Sequence, residues 1–178
     1  MIHPRIHRFL QAIFNRFGII LHDKEKAYLP WPTAFSTVDI AIVDLYRDVI
    51  LLGKKRATGK WVIIGGFTDP TSICDEEDAI RELDEETGLT ASQSDLRFIG
   101  NFKIPDGRYE GTPHAIRTHY FLLNIDSTKV VSVPKDPEIA ETRWFSLKDR
   151  FALVEKDDPY IQPSHKILIK ALQKFIGA

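Results

Sequence analysis

The 178-residue chain is poor in several features, and each shortage narrows what it can be. A single cysteine, Cys74, rules out an intrachain disulfide and suits a reducing cytoplasm. No apolar stretch approaches the roughly 18–20 residues that span a bilayer, so no membrane-crossing helix is expected. A formal net charge of -1 offers no global attraction to nucleic acid or to an anionic membrane surface. Repeats, low-complexity tracts and interdomain linkers are missing as well. What is present is ordinary for a globular protein: 43% hydrophobic and 28% charged residues, in a length suited to one domain with a sizeable core.

Met1 to Gly18 places Ile6, Phe9, Leu10, Ile13, Phe14 and Phe17 at helical spacing, with Arg5, Arg8, Gln11, Asn15 and Arg16 off that stripe. This predicts an amphipathic helix docked on the domain or on a second copy, with a helix lying on a membrane surface as the alternative. A secretory signal would carry an unbroken apolar block instead. His22 to Pro32 reads as a connector, because Pro30 and Pro32 resist both helix and central strand. The expected organisation is therefore an N-terminal helix and connector over 1–34 and a main domain over 35–178.

Short β-rich runs follow at Thr37 to Tyr46, Val49 to Leu52 and Trp61 to Ile64, the last ending at Gly65-Gly66. Arg47-Asp48 marks a tight connection between the first two. Further strands are expected at Leu96 to Ile104, Ala115 to Ile125 and Thr142 to Ser146, with a polar loop from Pro105 to Pro113. Helices are expected at Asp75 to Thr87, stopped by Gly88, and at Ser164 to Ile176 with Ser164 as N-cap. Strands and helices in this mixed order predict an α+β fold, an α/β/α sandwich.

The informative segment is Asp75 to Thr87. On a helix, Glu82, Glu85 and Glu86 fall within an arc of about 100°, while Ala79, Ile80 and Leu83 occupy the neighbouring, core-facing arc. A solvated acidic face usually intersperses lysines, and none stands between Asp75 and Glu86. Three like charges on one face repel, and a divalent cation removes that repulsion. Hard carboxylate oxygens suit Mg²⁺ or Mn²⁺. Arg81 is placed to pair with a carboxylate and hold the cluster in shape. Spacing alone leaves the bland alternative open, an acidic face that is simply hydrated.

The order Arg81-Glu82-Leu83-Asp84-Glu85-Glu86-Thr87-Gly88-Leu89 resembles the second half of the Nudix box, Arg-Glu-apolar-x-Glu-Glu-x-Gly-apolar, at every defined position. The first half departs from it. Counting back from Arg81 puts Ile73 at the usual glutamate position and Phe67 at the usual glycine. Aligning Gly66 instead requires one extra residue in the Asp69-Pro70-Thr71-Ser72 loop. The resemblance implies a mixed-sheet sandwich and hydrolysis of a nucleoside diphosphate linked to another group. Glu82, Glu85 and Glu86 would then hold Mg²⁺ or Mn²⁺ on the diphosphate, and Glu85 or Glu86 would take a proton from the attacking water. Some relatives take the base from a later loop, which makes Asp106, Glu110, Glu138 and Glu141 candidates, with Glu138 preferred as an extra ligand. Arg81 and Gly88 would be structural, and Gly65 and Gly66 would let the backbone approach a pyrophosphate.

A second resemblance lies outside the box. Asp106 to Gly111 and Ile116-Arg117-Thr118-His119-Tyr120-Phe121, with Ser36-Thr37-Val38-Asp39 and His165, look like the Nudix domains joined to NMN adenylyltransferases and their stand-alone relatives, which act on ADP-ribose. No adenylyltransferase domain is expected ahead of the region. The resemblance implies Arg56, Arg108 and Arg117 on phosphate or ribose oxygens and Tyr109 or Phe35 on the base. His119 shares a strand face with Arg117, whereas His114 reads as structural. Thr118-His119-Tyr120 also occurs in GDP-mannose-type hydrolases, a rival activity. A non-catalytic ADP-ribose sensor is the rival from another class, although too little chain follows Trp144 for a winged helix. The expected partner is a small nucleotide, with a homodimer as an option through the N-terminal helix.

Overall fold

The computed structural model describes residues 22–23, 26–27, 32–112, 114–155 and 159–177. The helix expected over Met1 to Gly18 lies outside the described residues. Two compact units divide the chain: Met1–Phe35 with Pro105–Ile116, and Ser36–Ile104 with Arg117–Ala178. Near the start, β1 (His22–Asp23) and β2 (Lys26–Ala27) pair antiparallel with each other.

The main sheet has seven strands: β3 (Ala34–Asp44), β4 (Val49–Lys55), β5 (Trp61–Val62), β6 (Ile64–Phe67), β7 (Leu96–Ile104), β8 (Ala115–Asn124) and β9 (Ile139–Ser146). Their order is β5-β4-β3-β8-β7, while β6 pairs with β3 and β9 with β4. Among the described residues the α-helices are α1 (Asp75–Thr87), α2 (Leu147–Glu155) and α3 (Lys166–Ile176). This mixed sheet flanked by helices is the expected α+β architecture.

Period-two alternation sorts the strand residues onto two faces. Val38, Ile40 and Ile42 of β3 and Phe121 and Leu123 of β8 form one core with Ala79 and Leu83 of α1, with Leu89 just beyond the helix. Each such fully buried Leu, Ile or Val contributes about 1.5–3 kcal/mol. The alternate residues Ala41, Val43, Tyr120 and Leu122 point to the opposite face and are also buried, and α3 contributes Leu168, Ile169 and Leu172 to the interior. Among the described residues, no helix is long and apolar enough to cross a membrane.

Several boundaries differ from the sequence pattern, each for a long-range reason. β4 runs on to Lys55 because β5 and β9 pair with its second half. β9 begins at Ile139, since its partner β4 extends that far. The expected Trp61 to Ile64 strand is two short ones, and Gly65-Gly66 lie inside β6, not in a turn after it. Ser164 does not cap the last helix. It sits in a single 3₁₀ turn, Pro163–His165, whose Pro163 carbonyl accepts the Lys166 amide, and α3 starts only at Lys166. The proline fixes the start of that turn, so the cap expected of Ser164 has no role. α2 is absent from the sequence expectations, although Leu147, Phe151 and Val154 have helical spacing and are buried. The Ser146 hydroxyl accepts the Asp149 amide at 3.2 Å and starts it.

Candidate active site

α1 has the predicted bounds, Asp75 to Thr87, and ends at Gly88, whose φ of 70° takes the left-handed cap conformation. A Cβ at Gly88 would also lie 2.6 Å from the Val133 carbonyl oxygen, so glycine is required twice over. Four acidic residues open the helix, Asp75 to Asp78, where they complement the positive end of its dipole. Ala79 and Leu83 are fully buried, and this turns Glu82 and Glu86 against the sheet, where both are nearly enclosed.

The two carboxylates meet the backbone of β6. Glu86 accepts the Gly65 amide at 2.9 Å. Glu82 lies against Gly66 so closely that a Cβ there would stand 2.5 Å from a carboxylate oxygen. Gly65 has φ 152°, and a Cβ on it would meet the Val38 carbonyl oxygen at 2.1 Å. Both glycines are thus required by close approach, one to the helix and one to β3. Burial pushes the Glu86 pKa up to about 7, against the pull of the Gly65 amide and Lys55, with the charges of Glu82 and Asp136 adding to the rise. Burial raises Glu82 too, opposed by Arg81.

Arg81 binds the cluster from its outer side. Its guanidinium donates to Glu82 at 2.7 Å, Glu85 at 3.1 Å, Asp78 at 3.2 Å and the Phe67 carbonyl at 2.9 Å. Glu85 is half-exposed. The altered first half of the box is held by other residues. Asp78, nearly enclosed, accepts the Asp69 amide and the Ser72 hydroxyl, and Glu77 accepts the Ile73 amide. Ile73 itself is 90% exposed.

The segment 132–138 is strapped to the end of α1. Val133 donates to the Thr87 carbonyl, Lys135 and Asp136 donate to that of Glu85, and the Lys135 ammonium pairs with Asp84. Glu138 is consequently fixed beside β4, where it accepts the Lys55 ammonium at 2.9 Å. Burial works against that ammonium, but Glu138, Glu86 and Asp136 outweigh it and raise its pKa. Arg56 donates from Nε to the Pro137 carbonyl at 2.9 Å. Lys55, Arg56, Ala57, Pro137 and Glu138 line a cavity of about 410 Å³.

Arg117, exposed on β8, donates to Asn101 at 3.2 Å. His119, on the same strand face, pairs with Asp75 at the start of α1. Glu141 pairs with Lys54 at 3.1 Å. Phe35, Asp106, Arg108, Tyr109 and Glu110 belong to the other compact unit. There the Phe35 and Tyr109 rings stack with centroids 4.8 Å apart, and the His114 Nδ1 accepts the Thr33 amide at 3.2 Å, a structural role. Arg108 lies in the turn Gly107–Tyr109.

Sequence reasoning missed Lys55, Asp136 and Asp78, which adjoin the carboxylates. Asp78 had a local signal, since it stands one turn before Glu82. Lys55 and Asp136 had none, because a strand pairing and a loop strap bring them in. Asp39, quoted only within a motif and given no role, is buried on β3 at the register position of Gly65. Burial pushes its pKa up to about 8, and its carboxyl accepts the Thr118 hydroxyl at 2.6 Å.

Among the described residues, no three His, Cys, Asp or Glu side chains converge as a complete metal cage. The donor set still fits a hard divalent ion. Mg²⁺ commonly uses one or two carboxylates and completes its shell with waters and substrate phosphate oxygens. Glu82 and Glu86 are desolvated and repel each other, offset by Arg81 at Glu82 and by the Lys55 ammonium at Glu86, an arrangement that added positive charge would relieve.

Solved structures share this fold. The NUDIX domain of Shewanella oneidensis NrtR, complexed with ADP ribose, superposes with a TM-score of 0.65 at 19% identity, over 84% of this chain and 94% of that one. The MutT protein of Methanosarcina mazei Go1 gives 0.63 at 18% identity, over 84% and 97%. A bifunctional NMN adenylyltransferase/ADP ribose pyrophosphatase of Francisella tularensis, complexed with AMP and a Mn ion, gives 0.61 at 18% identity. That match covers 94% of this chain and 47% of the other, so the chain spans about half of that protein's length. At these identities the likeness is one of fold. No curated protein matches the sequence significantly. The family model described as the NUDIX domain matches residues 36–165, most of the chain; this protein belongs to the NUDIX family, and that membership supports a pyrophosphohydrolase.

Proposed function

We propose that the protein is a divalent-metal-dependent hydrolase of a nucleoside diphosphate linked to another group, with ADP-ribose as substrate and AMP and ribose 5-phosphate as products. The observation that carries this is the pair of enclosed carboxylates, Glu82 and Glu86, seated on the backbone of Gly65-Gly66 with Glu85 beside them. Glu82, Glu85 and Glu86 would hold Mg²⁺ or Mn²⁺, with Glu138 as a further oxygen donor from the strapped loop. A cation bound there neutralises phosphate charge and acidifies a water.

The chain's own groups do the rest. Arg81 keeps Glu82 and Glu85 oriented, so little reorganisation is needed when substrate arrives. Glu86 and Glu85 are the two candidates to accept the proton that the attacking water loses. Arg56, at the cavity that Lys55 and Glu138 also line, supplies positive charge for a phosphate oxygen. Arg108 and Arg117 are proposed for phosphate or ribose contacts, and Phe35 and Tyr109 for the base. Support for ADP-ribose comes from the motif resemblance and from the two similar folds whose ligands or activity involve ADP-ribose.

The lack of a complete metal cage among the described side chains favours one second reading, a domain that binds ADP-ribose without cleaving it. Phosphate-coupled turnover of ADP-ribose, NADH, GDP-mannose, a diadenosine polyphosphate and 8-oxo-dGTP, each with Mg²⁺ and with Mn²⁺, separates the two. Metal-dependent cleavage of ADP-ribose is expected. Cleavage of GDP-mannose alone would keep the family chemistry and discard the substrate. Silence across the panel with tight ADP-ribose binding by calorimetry would leave the binding domain.

A further inference from the structure

The polypeptide just before α3 runs beside β5, the short strand that leads into the one carrying the two glycines. The Trp61 amide donates to the Tyr160 carbonyl at 2.8 Å, and the Gln162 amide donates back to the Trp61 carbonyl at 2.9 Å. Ile63, 1% exposed, falls in the break between β5 and β6. Its amide donates to the Nδ1 of His165, across 102 positions of chain, at 3.2 Å. An enclosed amide left without an acceptor is costly, so this bond is a strong constraint.

Strand geometry gives that constraint a direction. Successive backbone amides of a strand point to alternate edges. In this segment Ile64, Gly65 and Gly66 are registered on Ile40, Asp39 and Val38 of β3, the neighbour on one edge. The amides of Ile63 and Gly65 both go to side chains instead, that of Ile63 to His165 and that of Gly65 to Glu86. Two side chains, one from the turn before α3 and one from α1, thus hold amides two residues apart at the start of β6. We propose that His165 is a positioning residue: by accepting the Ile63 amide it sets the Gly65-Gly66 backbone, and through the Gly65 amide it orients Glu86. This rests on the hydrolase reading for its consequence on rate, but not for the structural link.

The surroundings suit an imidazole that must accept. An amide can only donate, so Nδ1 has to carry its lone pair. Burial, with a smaller contribution from Lys55, lowers the His165 pKa to about 4 and keeps the ring neutral. The Asp39 carboxyl lies 3.8 Å from Nδ1. Were it ionised, it would draw a proton onto the ring and end the bond to Ile63. Enclosed with Thr118 and held protonated by burial at neutral pH, it does not.

The test uses the full chain labelled with ¹⁵N, as wild type, His165→Leu and His165→Asn, the last offering an amide oxygen where Nδ1 stood. Hydrogen exchange at Ile63 and Gly65 is expected to speed up about tenfold or more in His165→Leu, while Ile42 in β3 and Leu172 in α3 keep their protection. His165→Asn should return both amides to within about threefold of wild type. With whichever substrate turns over, kcat should fall about tenfold in His165→Leu at nearly constant KM, and recover in His165→Asn. Unchanged exchange at Gly65 overturns the proposal. So does equal loss of protection at Ile42 and Leu172, which would make His165 a packing residue only, or altered exchange at Gly65 with an unaltered kcat. A wild type that cleaves nothing, yet whose Gly65 amide follows His165 as described, overturns the hydrolase reading and leaves the link between His165 and Gly65 intact.

Discussion

Glu86 and Asp39 are both acids that burial has lifted, Glu86 to about 7 and Asp39 to about 8, and both adjoin the same short strand at Gly65. Glu86 rises from α1 to the Gly65 amide, while Asp39 stands on β3 at the register position of Gly65. Their neighbours differ. Around Glu86 stand Glu82, the half-exposed Glu85 and the ammonium of Lys55, groups that a cation and an anionic substrate can rearrange. Asp39 feels the charges of Glu86, Glu82 and Lys55 as well, but its immediate neighbours are Thr118 and Tyr120, both fully enclosed, and His165. A raised carboxyl pKa therefore marks two opposite situations in one domain. On α1 it signals charge awaiting a guest, and on β3 it signals an acid that remains neutral and serves as a hydrogen-bonding group.

The largest effect should separate these two directly. Glu86→Gln and Glu85→Gln are expected to lower kcat about 10²–10⁴-fold in the coupled assay, the usual worth of a lost catalytic base. Asp39→Asn, isosteric with the neutral acid, should stay within about threefold of wild type. Equal losses at Glu86 and Asp39 would erase the contrast between the two sides.

The glycines test the partition itself. Gly65→Ala drives a methyl to 2.1 Å from the Val38 carbonyl and demands a φ that alanine avoids, so it should destabilise the fold by about 2–4 kcal/mol in chemical denaturation. Gly66→Ala meets only the Glu82 carboxylate, at 2.5 Å, and a side chain can move. Its expected outcome is weaker Mn²⁺ binding by calorimetry with a far smaller change in stability. A Gly66→Ala variant as unstable as Gly65→Ala would show that Glu82 is as rigidly held as the backbone.

The pH dependence of stability sharpens the comparison further. Asp39 titrates near 8 when folded, against an ordinary value of 3.8, so the folded state holds the extra proton between them and stability falls as pH rises through that window. His165 acts in the opposite sense. Its folded pKa of about 4 lies below the ordinary 6.5, so stability rises with pH across that interval. Above pH 6.5 the Asp39 effect has no such opposition. The stability advantage of Asp39→Asn over wild type should therefore grow from pH 6.5 to 8, at up to about 1.4 kcal/mol per pH unit. A difference in Tm that is flat with pH would mean that Asp39 is already ionised.

The smallest effect is expected at the departure from the family pattern. Ile73→Glu restores the usual residue at an almost fully exposed position whose loop is already tied down by Asp78 and Glu77. Stability should change by less than about 0.5 kcal/mol and kcat by less than about threefold. A large gain in rate would show that the loop substitution had cost the enzyme a working group.

What is legible in the sequence is what local signals carry. α1 is legible to the residue because its period, its acidic first turn and Gly88 all act within a few positions of chain. The orientation of Glu82, Glu85 and Glu86 follows from helical geometry alone. The strands are legible in existence and only roughly in extent, since β4 and β9 prolong each other by pairing. Gly65-Gly66 stand out in the sequence, but their place inside β6 depends on β3 and cannot be read from it. Lys55 looks like any lysine on a strand. The pairing of β9 with β4 and the strap of 132–138 onto α1 set Glu138 and Asp136 beside it.

The sequence alone determined the helix, its carboxylate face, the glycine that ends it and the family to which the chain belongs. All of these are written at separations of a few residues, where backbone geometry is common to every helix. Tertiary structure decided which carboxylates are enclosed, that Asp39 retains its proton, and that a histidine from the end of the domain grips the strand beside Glu86. Burial and long-range hydrogen bonds are properties of neighbours that the chain brings together only on folding, because desolvation and the loss of water as an alternative partner begin there.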